Sequence, residues 1–363
     1  MADFDAVVVG AGCAGSVAAC VLAREGKSVL MIERGSDAGA KNMTGGRIYS
    51  HSLKKVFPDF EQEAPLERKI THERMAFMDP AAQMAVDFTS PELAEEGKDS
   101  YSVLRAPFDQ WLASKAGGRG RGVHLRHRGR GAPEDGAGRV TGVRAGEDEI
   151  TAEVTILAEG CNTVLAEKCL GNPAPEALPR WPSASSRCSS CRPPRSRTAS
   201  WSRKARAPRC CLSATARTAR SAAASCTRTR TPSAWASWPR SPRPWTPPTP
   251  HPVYQMLEDF KNHPAVAPII RGAKVVEHSG HMVPEGGYGM VPKYVFDGCL
   301  VAGESAGLCM NMGYQVRGMD FAVASGQMAG QAAVRALDAG DTSGGGARLL
   351  QGGDGRAPSS SRT

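Results

Sequence analysis

The chain has 363 residues, 41% of them apolar and 22% charged, with a formal net charge of +9. That length suits two domains or one large one; no stretch reaches the roughly 18 uninterrupted apolar residues of a spanning helix, and Asp3 and Asp5 before a short strand argue against a secretory leader, so the expected setting is the cytoplasm, with peripheral contact at the inner membrane face left open. The charge invites a nucleic-acid reading, but residues 178–250 hold 14 arginines and Lys204 with no acid, so that segment alone carries +15 and the rest of the chain, by difference, −6.

Asp5-Ala-Val-Val-Val9 predicts a buried strand and enters Gly10-Ala11-Gly12-Cys13-Ala14-Gly15, a G-x-G-x-x-G turn. In such a turn the first glycine permits the tight bend, the second lets backbone approach a pyrophosphate, and the third lets the next helix pack close on the strand. A diphosphate would sit on the N–H groups of that helix's first turn, around Cys13 and Ala14, at the positive end of its dipole. A second strand, Val29-Leu-Met-Ile32, leads to Glu33, 18 residues beyond Gly15. A carboxylate there accepts from an adenosine ribose and repels a 2′-phosphate, which disfavours NADP and leaves FAD and NAD open.

Arg34 to Arg47 reads as a polar, glycine-rich loop without a core face. Its Gly45-Gly46 pair permits close approach to a planar ligand, and Lys41, Asn42 and Arg47 are candidate contacts to phosphate or ring carbonyls, as is Arg34 beside the acid. Ser100 to Leu104 predicts a strand and Phe108 to Leu112 a helix; Arg105 at their junction is a candidate adenine-side or phosphate contact. Val140–Val143 and Glu149–Val154 predict a hairpin feeding a buried strand that ends in Ala158-Glu159-Gly160, a small turn suited to lie beneath the first one, with Asn162 expected to cap the following helix.

Residues 178–250 contain no Gly, Val, Ile, Phe, Tyr, Met, Asn, Gln, Asp or Glu, yet hold five of the six tryptophans. Such a stretch offers little aliphatic area against an ordering cost of about 1–2 kcal/mol per residue. Its residue set is the one that a shifted reading frame yields in GC-rich DNA, so the segment is expected to be frameshifted or disordered. Gly117–Gly138 and Ser343–Thr363 raise the same suspicion, and residues 341–363 are expected to form a disordered tail. The competing readings are a basic RNA-binding arm and a mucin-like linker. Cys188-x-x-Cys191 and Cys210-Cys211 lack an ordered frame for zinc, and Cys13, Cys20, Cys161, Cys169, Cys299 and Cys309 read as reduced, buried residues, so no metal is expected.

Ordinary composition resumes at His251. Asp297-Gly-Cys-Leu-Val-Ala-Gly303-Glu304-Ser305-Ala306-Gly307 runs a strand into an acid at a tight turn, followed by Asn311-x-Gly313, Gly318-Met-Asp320 and a small-residue helix from Phe321 to Leu337. Glu304 can hold sugar-like hydroxyls such as a ribityl chain, and the helix N-terminus can stabilise charge at flavin N1 and O2. A dinucleotide turn in front and this acid turn behind suit FAD lying extended across one domain better than NAD. The expected fold class is α/β, with an FAD-binding domain spanning 1–177 and 251–340 that also contains parts of a substrate domain.

Val9–Ser16, Ile32–Gly35, Gly39–Arg47, Ile70–Glu73, Ser100–Arg105, Leu165–Lys168, Gln255–Lys261, His263–Pro268 and Val301–Asp320 together resemble the FixC-type FAD-dependent oxidoreductases, relatives of electron-transfer-flavoprotein:quinone oxidoreductases and geranylgeranyl reductases. The resemblance covers 1–116, 139–177 and 251–340. It implies a glutathione-reductase-like FAD-binding Rossmann domain with an α+β substrate domain, here incomplete, and electron transfer among an electron-transfer flavoprotein or ferredoxin-like donor and a quinone or low-potential acceptor. Gly287–Pro292 resembles the family's pre-flavin loop, and Glu304 stands where family members often have Asp. No catalytic acid is named, because His278 and His281 read as structural. Two other outcomes remain: a frameshift-damaged, inactive product, and a flavin-binding protein with a nucleic-acid arm at 178–250.

Overall fold

The computed structural model describes residues 2–40, 42, 45–78, 81–117, 123–126, 129–171, 183–189, 210–217, 221–227, 233–239, 253–275, 279–283, 291–311 and 315–344. A mostly parallel sheet forms its centre. In the middle lies β1 (Phe4–Val9), paired in parallel with Asp148–Leu157 on one side and with β2 (Val29–Glu33) on the other. Cys299–Val301 and Val123–Arg126 extend the sheet in parallel at the two flanks. Ala6 and Val8 enter one core with α1 (Cys13–Arg24), the helix Arg105–Gly117 and the closing helix Met319–Ala339; Val7 and Val9 enter a second with Val143, Leu157 and Leu165. Both faces are covered, so the buried part of the strand, Ala6–Val9, is apolar at every position rather than at alternate ones.

The closing helix lies against α1 almost backbone to backbone. A Cβ on Gly326 would stand 2.2 Å from the Ala14 carbonyl oxygen, and one on Gly330 would stand 2.9 Å from Val21 Cβ and 3.0 Å from the Ala18 oxygen. The small residues of this helix therefore serve close approach, and the helix begins at Met319, two residues before its expected start.

Away from the nucleotide sheet, Gly45–Tyr49, Ser100–Leu104 and Leu66–Lys69 form a three-stranded sheet. The expected loop therefore ends earlier than its composition suggested, because Gly45 lets its strand lie hard against Val103: a Cβ there would meet the Val103 oxygen at 2.1 Å. A seven-stranded sheet takes the order Ser279–Met282, Ser183–Ser189, Ser233–Pro239, Ser221–Thr227, Cys210–Arg217, His72–Met78 and Gln83–Phe88. Four of these strands fall inside 178–250, where composition gave no strand signal. Cys210–Arg217 pairs in parallel with His72–Met78, and the other three follow by antiparallel pairing. Likewise Val123–Arg126, inside the suspect stretch 117–138, pairs with β2. Of the expected tail, Thr342 and Gly344 bond to the turn at Asp297–Gly298, and residues 345–363 lie outside the described residues.

Candidate functional site

The three glycines of the first turn have separate tasks. Gly10 has φ +102° and donates to the Ile32 carbonyl at 2.7 Å; a Cβ on it would lie 2.3 Å from the Ala158 oxygen. On Gly15 a Cβ would lie 1.8 Å from the Gly10 oxygen. Both are packing glycines. Gly12 differs, since a Cβ on it would meet nothing within 4 Å: it fronts open space at the N-cap of α1. No side chain caps that helix and no acid stands in its first turn, so its N–H groups present an anion-binding end. Glu33 borders the same place, accepting from Ala11 N at 3.0 Å and Gly35 N at 2.7 Å, while Arg34 is exposed.

The turns at 158–160 and 303–307 close on this one. Ala158 donates its N–H to Val9 at 2.8 Å, and Ser305 Oγ donates to the Gly160 carbonyl at 3.0 Å. Gly303, at φ +70°, would carry a Cβ 2.9 Å from Ala14 Cβ, and its N–H is held by Ser325 Oγ at 2.9 Å. Glu304 is flanked by Gly160 and Gly318, whose built Cβ atoms would lie 3.9 and 3.8 Å from its two carboxylate oxygens. Gly307 backs onto Val291 and Pro292. The helix Val164–Leu170 is capped by Glu159, which accepts from Leu165 N and Ala166 N at 3.0–3.1 Å; Asn162 offers only its carbonyl, to Val164 N, so the expected cap is corrected. Burial pushes the Glu159 pKa up, against the opposing pull of those N–H bonds and Arg34.

Arg105 opens its helix one turn before Asp109 and grips it with two hydrogen bonds, Nε to Oδ1 at 3.0 Å and Nη2 to Oδ2 at 2.9 Å. Asn42 Nδ2 donates to Asp109 Oδ2 at 2.5 Å. Arg47, by contrast, is held by Glu73 at 2.5 Å and Ser100 Oγ at 2.8 Å, with its side chain 5% exposed, while a Cβ on Gly46 would stand 3.1 Å from Met319 Sδ. Lys41 and Gly313 lie outside the described residues, as do His278 and Gly287–Met290; Asn311 is described only as strand backbone paired with Val316.

Sequence reasoning missed Asp109, and it missed a cluster at the N-terminus of the closing helix. There Arg317 stacks 3.9 Å from the Tyr49 ring centroid and donates to Asp320 Oδ2 at 2.6 and 2.8 Å, with His51 3.6 Å from the same oxygen. Asp320 is buried, and its Oδ1 has no hydrogen-bond partner among the described residues. The i, i+4 spacing of Arg105 and Asp109 was a readable signal; the contact between Tyr49 and Arg317, 268 positions apart, was not.

Residues 8–66 match the model of the NAD(P)-binding Rossmann-like domain. Protein FixC of Escherichia coli O157:H7 is 41% identical over 344 residues, spanning 94% of this chain and 78% of the relative. The chain belongs to the FixC family. A probable electron transfer flavoprotein-quinone oxidoreductase of Escherichia coli K12, YdiS, is 38% identical over 340 residues with the same coverage. In fold the chain is similar to a geranylgeranyl bacteriochlorophyll reductase-like protein from Thermoplasma acidophilum, with a TM-score of 0.70 at 18% identity over 96% of this chain and 82% of that one. As a FixC-family member the chain is an FAD-dependent oxidoreductase of electron transfer with a Rossmann-type nucleotide domain. FAD fits the residues present: the space in front of Gly12, the uncapped start of α1, an acid at the end of β2, a second acid between two glycines, and an orphaned buried carboxylate oxygen at a helix start.

Proposed function

We propose that this chain accepts electrons from an electron-transfer flavoprotein or a ferredoxin-like protein and delivers them to a quinone or another low-potential acceptor. Bound FAD supplies the electron-transfer chemistry. The chain's own residues bind and orient it. Gly12 and the first turn of α1, with Cys13 and Ala14, take the diphosphate; Glu33, whose oxygens retain acceptor capacity beyond their two backbone bonds, takes the adenosine ribose with Arg34 beside it; Arg105 completes the phosphate side. Glu304 takes ribityl hydroxyls, and the N-terminus of the closing helix faces the ring edge where negative charge gathers on reduction.

The observation that carries this reading is the seating of the late acid turn on α1: Gly303 packs against Ala14, the first-turn residue of the phosphate end. An NAD site needs no such second acid across the sheet. YdiS, a relative by sequence, bears a name that couples a flavoprotein to a quinone, which supports the choice of partners. A quinone acceptor places the reaction at the inner membrane face, and among the described residues no helix is long and apolar enough to cross a membrane. The test is anaerobic: the FAD-loaded, reduced chain is mixed with a short-chain ubiquinone, and flavin reoxidation is followed at its visible absorbance. Rapid reoxidation supports the reading; a flavin that stays reduced against quinone, ferredoxin and electron-transfer flavoprotein alike contradicts it.

The composition of 178–250 favours a second reading, that these residues come from a shifted frame and that the chain binds the nucleotide without passing electrons on. The gene sequence across codons 115–255 decides: a one-base correction that restores a Val-, Gly- and Asp-containing strand pattern establishes it, and an uninterrupted frame removes it.

A further inference from the structure

We propose that Asp109 is a positioning residue for FAD, fixing Arg105, Asn42 and Cys13, from three separate segments, into one prebuilt arrangement beside the phosphate turn. The proposal rests on the reading that Arg105 faces the cofactor. Asp109 is fully buried, and both of its oxygens are used twice. Oδ1 accepts from Arg105 Nε at 3.0 Å and from the Cys13 thiol at 3.4 Å; Oδ2 accepts from Arg105 Nη2 at 2.9 Å and Asn42 Nδ2 at 2.5 Å. Four donors meet the roughly four lone-pair sites of a carboxylate, which is how a charge this deep is accommodated.

Each partner belongs to a different part of the nucleotide site. Cys13 is the first residue of α1, so the thiol bond ties Asp109 to the helix start that presents its N–H groups to an anion. Burial pushes that thiol well above its ordinary range, so it remains a neutral donor. Asn42 closes the loop after β2, and the same loop seats on Asp109 through Gly39, where a Cβ would lie 2.8 Å from Asp109 Cβ at φ +77°. Arg105 spends two of its five N–H donors on Asp109, keeps its side chain 22% exposed, and lies near enough to Glu304 to interact electrostatically with it. Its guanidinium is thus oriented before any ligand arrives, with its remaining donors turned to no partner among the described residues, so its rotamer freedom is lost on folding and not on binding.

Three variants test this by FAD affinity of the apoprotein, read from flavin fluorescence quenching: Arg105→Ala, Asp109→Asn and the double change. Arg105→Ala weakens binding about 10- to 100-fold, as expected for losing charge-assisted hydrogen bonds. Asp109→Asn weakens it comparably although Arg105 is intact, and the loss in the double variant falls well short of the product of the two single losses, because both changes remove the Arg105 contact. A purely structural Asp109 gives losses that multiply, and that result overturns the proposal, as does Asp109→Asn with parental affinity. Parental affinity in Arg105→Ala overturns the placement of Arg105 itself and, with it, what is built on it. Should Asp109→Asn fail to fold, Asn42→Ala replaces it: a several-fold loss that vanishes in the Arg105→Ala background supports the coupling, and one that persists there refutes it.

Discussion

Gly326→Ala tests the joint on which the site depends. In the parent the closing helix crosses α1 so closely that a Cβ at 326 would stand 2.2 Å from the Ala14 oxygen and 2.9 Å from that residue's carbonyl carbon and Cα. All three are backbone atoms and cannot rotate aside. Restoring contact distance requires the helices to part by about 1 Å, a change of the overpacking kind that costs about 1–3 kcal/mol. Alanine returns about 1 kcal/mol of helix propensity, and with backbone obstruction placing the clash in the upper part of its range, the net loss is about 1–2 kcal/mol. For a chain of this size that lowers Tm by about 2–8 °C. Parting the helices also draws Gly303 away from Ala14, so FAD affinity falls with stability. Thermal melts of the apoprotein and a fluorescence titration with FAD measure both, with Met328→Ala, at a site 64% exposed on the same helix, as a control expected within about 0.5 kcal/mol of the parent. A Gly326→Ala protein that melts at or above the parent temperature and binds FAD as well refutes the reasoning.

The packing and phosphate-facing tasks of the first turn separate in the same way. Gly10→Ala, forced to φ +102° against the Ala158 oxygen, destabilises the apoprotein by at least 1–3 kcal/mol on the overpacking scale, about the same range as above. Gly12→Ala, with open space around its Cβ, leaves the urea midpoint within about 0.5 kcal/mol of the parent while FAD affinity drops tenfold or more; equal effects on both measurements would contradict the division. Asp99 gives a pH dependence. It is buried, which alone would raise its pKa, yet Lys69 at 2.8 Å, Ser50 and Tyr101 at 2.9 Å hold it below the ordinary carboxylate value. A depressed folded pKa means that this stability is present above the unfolded value of about 3.9 and is lost as pH falls through the lower folded one. Urea unfolding from pH 7 to pH 3 should therefore show the gap between Asp99→Asn and the parent narrowing below about pH 3.9; a constant gap would mean that folding does not lower the Asp99 pKa and would refute the account.

The nucleotide half of the fold was readable because its signals are local. A strand buried on both faces, three glycines with different steric duties and an acid 18 residues on lie within one stretch of chain, and the late acid turn repeats the same grammar. Their meeting, Gly303 on Ala14 and Ser305 on Gly160, followed only from placing both strands in one sheet. Arg47 shows the limit: its place in a glycine-rich loop suggested a ligand contact but gave no sign of its ion pair with Glu73 and its hydrogen bond to Ser100, since no spacing rule announces a partner on another strand. The helix cap failed for a related reason, since Glu159 reaches forward across six residues and displaces the nearer Asn162. In 178–250 composition and backbone diverge: paired strands stand where the residue set lacks Val, Ile, Phe and Tyr, residues by which strands are read.

The most direct measurement of the central claim is the flavin content of the folded chain. The apoprotein, its fold verified by circular dichroism, is incubated with FAD, freed of excess by gel filtration, and its visible spectrum recorded before the bound nucleotide is released by acid and identified by chromatography. The account predicts a stoichiometric amount of FAD with the two-banded absorbance of a bound isoalloxazine, and retention of FAD when NAD is present in excess. A folded chain that emerges colourless, or one that exchanges FAD for NAD, contradicts it.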